Sequence, residues 1–189
     1  MVKKKQEYIV RKVAGKDVKL DAEDFYKPRI LNSTLIISKA GQVFVRNKKT
    51  RKTIALARVV LKAKKGRVVD HINRNALDNR KANLRIVNHR QNMLNRVLKN
   101  STGFIGVSIR KNKTKQGKQT YYAAYWSEKK RLCFCSPFTP KGLMLAAMAR
   151  DKFVIENGDE EYSPLNFPIF KREPFKTFLL EINLYEMRG

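Results

Sequence analysis

Residues 34–38 and 42–46 each hold three consecutive apolar positions, rich in β-branched and aromatic types, between polar ones, and they flank the turn-forming Lys39-Ala40-Gly41, which predicts two short paired strands. A second turn at 48–51 leads into residues 53–61, where a short helix is expected. Val68-Val69 and residues 84–87 read as two further strands that can pair across a loop rich in Asn and Asp, whose side chains favour Asx-type turns. Asn88 stands where a helix N-cap belongs, and Gln91 three residues later completes a capping box, so a short helix should begin there. After the turn chemistry of Asn100-Ser101-Thr102-Gly103 come β-rich runs at 104–110, 120–126 and 131–135, with 111–118 and 127–130 as linkers. A helix should follow, capped by Thr139, started by Pro140 and closed before Gly158. Its core face would carry Leu143, Ala146, Ala147, Met148 and Val154, while Lys141, Arg150 and Lys152 lean outward. Residues 175–187 form a last amphipathic stretch, expected as a helix that packs on either domain or on a second subunit.

With 189 residues the chain is expected to hold two small domains with modest cores, of α+β class. Residues 1–17 are basic and lack periodicity, which suggests a loosely held arm; 18–100 and 101–168 make the two domains, and 169–189 a helical extension. Lys and Arg number 42 against 16 Asp and Glu, a formal charge of +26. Such a field calls for a polyanionic partner, nucleic acid ahead of a membrane surface, because each neutralised phosphate releases condensed counterions. No run approaches the ~18 to 20 apolar residues of a bilayer span, and Met1-Val2-Lys3-Lys4-Lys5 leads into no apolar signal core, so a soluble intracellular protein is expected. Cys133 and Cys135 are two apart and form no CxxC knuckle; they read as reduced thiols, with no structural zinc.

The candidate chemistry lies between the two paired strands and the short helix. In a strand-loop-strand-helix order, Asp70 and His71 at the end of the first strand can face Asn92 in the first turns of the helix. Phosphodiester hydrolysis needs a base to activate water and positive charge at the phosphate and the departing oxygen. Asp70 and Asn92 offer hard oxygen ligands for one Mg²⁺ or Mn²⁺, and His71 can take a proton from water. Asn83 can fix the imidazole or tie the loop to the helix. Neighbouring residues on a regular strand face opposite ways, so joint use of Asp70 and His71 requires a local twist or bulge. Asp78 reads as a turn-former in the loop and His89 as a helix-start or phosphate-contacting residue.

The run from Val69 to Arg96 resembles the HNH motif of phage and intron-encoded homing endonucleases, the ββα-metal fold, with motif bounds at 67–98. The resemblance implies a metal-binding acid at Asp70, a general base at His71, the middle Asn at Asn83 and a second metal ligand at Asn92. It implies double-stranded DNA as substrate, 5′-phosphate and 3′-hydroxyl products, and a phage or mobile-element origin. Residues 102–107, Thr-Gly-Phe-Ile-Gly-Val, and 165–168, Leu-Asn-Phe-Pro, resemble the two ends of the Apetala-two DNA-binding domain, a three-stranded sheet braced by one helix. Departures stand at Tyr122, where the family usually has Trp, at Cys135, near its usual Gly, and at Ala57, where nuclease relatives commonly show His.

Arg74, Arg80, Arg85, Arg90 and Arg96 around the motif are expected on phosphates, and Ser108, Arg110 and Lys111 on DNA from the second domain. A single site per chain fits nicking by a monomer, with a dimer through the C-terminal extension as the other outcome. The rival readings are a sequence-specific DNA-binding protein without catalysis and an RNA-binding protein.

Overall fold

The computed structural model describes residues 8–97, 100–114, 117–127 and 131–188. It is a mixed α/β chain of small antiparallel sheets and few helices, divided into two compact units, Met1–Met93 and Leu94–Gly189. Among the described residues no helix is long and apolar enough to cross a membrane.

The first unit begins with a hairpin of β1 (Tyr8–Val13) and β2 (Lys16–Asp21), paired from Tyr8 with Asp21 to Val13 with Lys16. The expected arm over 1–17 is therefore a β-ribbon from Tyr8 onward, and residues 1–7 lie outside the described residues. Its apolar alternation is faint because Val13, Val18 and Leu20 reach the core while Val10, Arg11 and Lys12 face out. Short helices α1 (Ala22–Phe25) and α2 (Pro28–Leu31) lead to the sheet β3 (Ser33–Ile37), β4 (Val43–Asn47) and β5 (Thr53–Ala55), followed by α3 (Leu56–Val60). The expected helix over 53–61 is thus split, its first residues joining the sheet beside β4. Ile30, Val43, Leu56 and Val18, each almost fully buried, form the core with Leu84. Then come β6 (Val68–His71), β7 (Leu84–Val87) and α4 (His89–Leu94).

The second unit is a sheet in the order β10-β9-β8, built from β8 (Val107–Thr114), β9 (Gly117–Ser127) and β10 (Arg131–Pro137), and covered by α5 (Pro140–Glu156). The strands reach further than the pattern suggested. Residues 111–114 and 117–118, expected as linker, belong to the ladder, with Lys111 opposite Thr120 and Thr114 opposite Gly117. Phe104 to Gly106 form a turn, so β8 starts only at Val107. Thr139 caps α5 by accepting from the Gly142 N–H at 3.0 Å, Pro140 opens the helix and Gly158 lies past its end at φ 67°.

Arg150, expected to lean outward, is 2% exposed. It donates to Ser163 Oγ at 2.6 Å and to Asp151 Oδ1 at 3.1 Å. Asp151 in turn accepts the N–H groups of Asn166 and Phe167 at 2.9 and 2.8 Å, and Asn166 Oδ1 accepts the Ile105 N–H at 2.7 Å. The two segments that resemble the ends of one domain are thereby tied to the same helix. The amphipathic stretch over 175–187 is helical only as α6 (Phe175–Glu181), with a 3-10 turn at Glu186–Arg188. Asn183 ends it: its Oδ1 accepts the Tyr185 N–H at 3.1 Å, a local bond that competes with helix.

Candidate active site

Strand β6 pairs with β7 residue for residue, Val68 with Val87, Val69 with Ile86, Asp70 with Arg85 and His71 with Leu84. This regular register holds no bulge at Asp70 and His71, so the expected irregularity is absent from the pairing. Of the twist or bulge expected there, this leaves a local twist, which two-stranded ribbons favour in general. One residue, Asn88, separates β7 from α4. Its side-chain oxygen accepts the Gln91 N–H at 2.8 Å while Gln91 Oε1 accepts the Asn88 N–H at 3.0 Å, a reciprocal capping box that starts the helix bearing Asn92.

Asp70 is buried at 7% exposure, and its Oδ2 accepts from Arg85 Nε at 2.8 Å and pairs with an Arg85 terminal nitrogen at 2.7 Å. Arg85, expected on phosphate, is thus the counter-ion of the proposed metal-binding acid. His71 is half-buried, and its Nε2 lies 3.4 Å from Asn79 Oδ1. Burial pushes the imidazole below its usual pKa of 6.5, while the Asn79 contact and the charges of Asp70 and Asp78 pull it back up. The neutral, proton-accepting form therefore dominates at pH 7.

Asn83 accepts the Asn73 N–H at 2.9 Å and donates to the Asp78 carbonyl at 2.8 Å. Its amide ties the loop to itself, neither to the helix nor to the imidazole. Asp78 acts as a turn-former: it receives Arg80 Nε at 2.8 Å, the Arg80 terminal nitrogen at 2.7 Å and Asn73 Nδ2 at 3.1 Å. Arg80 also lies over the Tyr8 ring at 4.8 Å, so this second expected phosphate contact is spent inside the fold. Arg74 sits exposed in the turn after β6 at φ 62°, Arg90 is half-buried on α4 and Arg96 is exposed. A cleft of about 330 Å³ beside β6 is lined by Ala57, Arg58, Arg67, Val69 and His89. Arg58 lies in it with its guanidinium turned to the carbonyls of Ala63, Lys64 and Arg67, which folds the basic loop.

In the second unit Val107, Ala124 and Phe134 face the core under α5. Strand alternation puts Ser108 and Arg110 on the other face, where Arg110 lies over Tyr125 at 5.4 Å and Ser108 Oγ donates to the Ala123 carbonyl at 3.4 Å. Lys111, one residue on, alternates away from them, so the three expected contacts do not share a face. Tyr122 stacks on Phe138 at 4.8 Å at the core edge, while Tyr121 and Tyr125 share the Arg110 face. Lys115, Lys129 and the Trp126 side chain lie outside the described residues.

The donor set fits a hard divalent ion in kind: a buried carboxylate, Asp70, and an amide oxygen, Asn92, on a helix that starts one residue after the partner strand. A cation there would share Asp70 with Arg85. Among the described residues no three His, Cys, Asp or Glu side chains cluster as a metal site. The residue that sequence reasoning missed is Asn79, almost fully buried at 1% exposure; its place in Asp78-Asn79-Arg80 was visible but its partner was not.

Residues 59–94 match the family model of the HNH endonuclease. The match spans α4 up to its last residue and contains β6, β7, Asp70, His71, Asn83 and Asn92, and it supports an HNH nuclease acting on DNA. No curated protein matches the chain, and no solved structure matches it.

Proposed function

We propose that the chain is a metal-dependent DNA endonuclease of the HNH homing type, which nicks double-stranded DNA to leave 5′-phosphate and 3′-hydroxyl ends. The observation that carries this reading is the ribbon β6-β7 with its capped helix α4, bearing Asp70, His71 and Asn92 inside the matched segment. The first unit is read as a ββα-metal nuclease and the second as an Apetala-two-like sheet module.

In this reading His71 takes a proton from a water molecule whose oxygen attacks phosphorus, the P–O3′ bond breaks, and the 3′ oxygen gains a proton from solvent. Asp70 and Asn92 would hold one Mg²⁺ or Mn²⁺, which when bound stabilises charge on the scissile phosphate and the departing oxygen. Asn83 keeps the loop in shape. The face of Ser108 and Arg110 reads base edges, and Arg74, Arg96 and Lys111, all at half-buried or exposed positions, meet phosphates.

One observation favours the rival of a DNA binder without catalysis: Arg85 already neutralises Asp70. Incubation of supercoiled plasmid with Mg²⁺ or Mn²⁺ separates the two readings. The nuclease reading expects open-circular product that disappears in chelator and in His71→Ala while DNA binding persists. Cleavage that survives His71→Ala or chelator removes it.

A further inference from the structure

The loop that carries Asn79 is gripped by the N-terminal hairpin, far away in sequence. The Asn79 backbone N–H donates to the Lys19 carbonyl at 2.9 Å, and the Lys19 N–H donates to the Leu77 carbonyl at 2.8 Å, a parallel bridge beside Asp78. On either side, the Lys81 N–H donates to Asp21 Oδ2 at 2.8 Å and Arg80 lies over the Tyr8 ring. Lys81 Nζ reaches Glu23 and pairs with Asp24 at 3.2 Å. Backbone, carboxylate and aromatic contacts from residues 8–24 thus converge on the segment 77–81.

At the end of this grip the Asn79 amide has one orientation. Its Nδ2 donates to the Ala76 carbonyl at 3.1 Å, so Oδ1 is the atom turned to His71 Nε2. An amide oxygen only accepts. The imidazole nitrogen facing it must carry the hydrogen, which places the lone pair of the neutral ring on Nδ1. At 3.4 Å the bond is long, as such contacts often are before a substrate tightens them. Asn83 is spent on the loop and does not compete for this role.

We propose that Asn79 is the positioning residue of His71, selecting the Nε2–H tautomer so that Nδ1 takes the proton, and that hairpin β1-β2 is the brace that holds Asn79 there. This rests on the nuclease reading of His71.

The test uses the full chain in single-turnover nicking with Mn²⁺, comparing wild type, Asn79→Ala, Asn79→Asp, His71→Ala and the double variant Asn79→Ala/His71→Ala. Asn79→Ala is expected to lower the rate constant by roughly 10- to 100-fold with DNA affinity in chelator unchanged, and Asn79→Asp, which keeps an acceptor oxygen, to recover most of it. In the His71→Ala background the Asn79→Ala change should cost nothing further, because the two residues act as one unit. Lys19→Pro deletes the N–H given to Leu77 and should also slow nicking without weakening DNA binding, which keeps the test alive if Asn79→Ala fails to fold. The imidazole ¹⁵N resonances of metal-free protein give a readout apart from cleavage: His71 as the Nε2–H tautomer in wild type and a mixture in Asn79→Ala. Wild-type rates in Asn79→Ala, losses that multiply with His71→Ala, or an Nδ1–H tautomer in wild type would each overturn the inference. Absence of any metal-dependent nicking by wild type would instead defeat the nuclease reading, and the ¹⁵N spectrum would still decide the tautomer.

Discussion

Arg85 and Asp70 stand opposite each other across the β6-β7 ribbon, and both nitrogen contacts, at 2.8 and 2.7 Å, fall on the same carboxylate oxygen, Oδ2. A buried carboxylate left without a counter-ion is costly, so this pair offsets the burial of Asp70 and fixes the orientation of its side chain.

Arg85→Gln should therefore destabilise the first unit by about 2 kcal/mol, at the low side for a buried pair because Arg85 retains some exposure. The same variant should gain stability from Mn²⁺, since a bound cation replaces the lost charge. Thermal unfolding in chelator and in Mn²⁺ checks both; a variant indifferent to Mn²⁺ would speak against Asp70 as a ligand.

The Asp78 carboxyl is held below its usual 3.8 chiefly by the hydrogen bonds from Arg80. Its folded pKa is depressed, so its stabilising effect is complete above pH 3.8 and is lost as pH falls through the lower folded value. Unfolding of wild type should thus steepen in acid below pH 3.8, and Asp78→Asn should be less stable at pH 7 with a flatter acid limb. Chemical denaturation across pH 2 to 7 measures this, and parallel curves would contradict it.

How much of this was legible in the residues depends on the range of the contact. The capping box of Asn88 and Gln91 and the Thr139 cap involve neighbours three apart, so the sequence carries them directly. The choice between Asn79 and Asn83 as the imidazole partner does not follow from spacing, because it depends on how a long loop closes. Lys19 fixes that closure from a ribbon whose alternation is masked by exposed charge. Arg150 looked outward on helical periodicity, but Asp151, Ser163 and the Pro164 carbonyl give it partners in the interior that no local pattern announces.

Gly142→Ala tests packing in the second unit. In an open helix Ala would gain up to about 1 kcal/mol over Gly, yet here the added Cβ would lie 2.0 Å from the Pro137 carbonyl oxygen. The clash should win, lowering stability by about 2 kcal/mol or more, and an unchanged melting temperature would show that the start of α5 is looser than described.

On the sheet, Arg110→Ala and Lys111→Ala should behave differently because they leave opposite faces of β8. Loss of Lys111 should weaken binding evenly across sequences and reduce the slope of log K against log salt by about 0.9. Loss of Arg110 should narrow the gap between a preferred site and random duplex. Binding isotherms on both duplexes at several salt concentrations decide it, and equal effects of the two changes would refute the assigned faces.

The most direct measurement follows cleavage of duplex DNA by full-length wild type and His71→Ala under single-turnover conditions with saturating Mn²⁺, alongside DNA affinity in chelator. A rate at least about 100-fold lower for His71→Ala at equal affinity is the expected result. Equal rates for the two proteins, or cleavage unaffected by chelator, would contradict it.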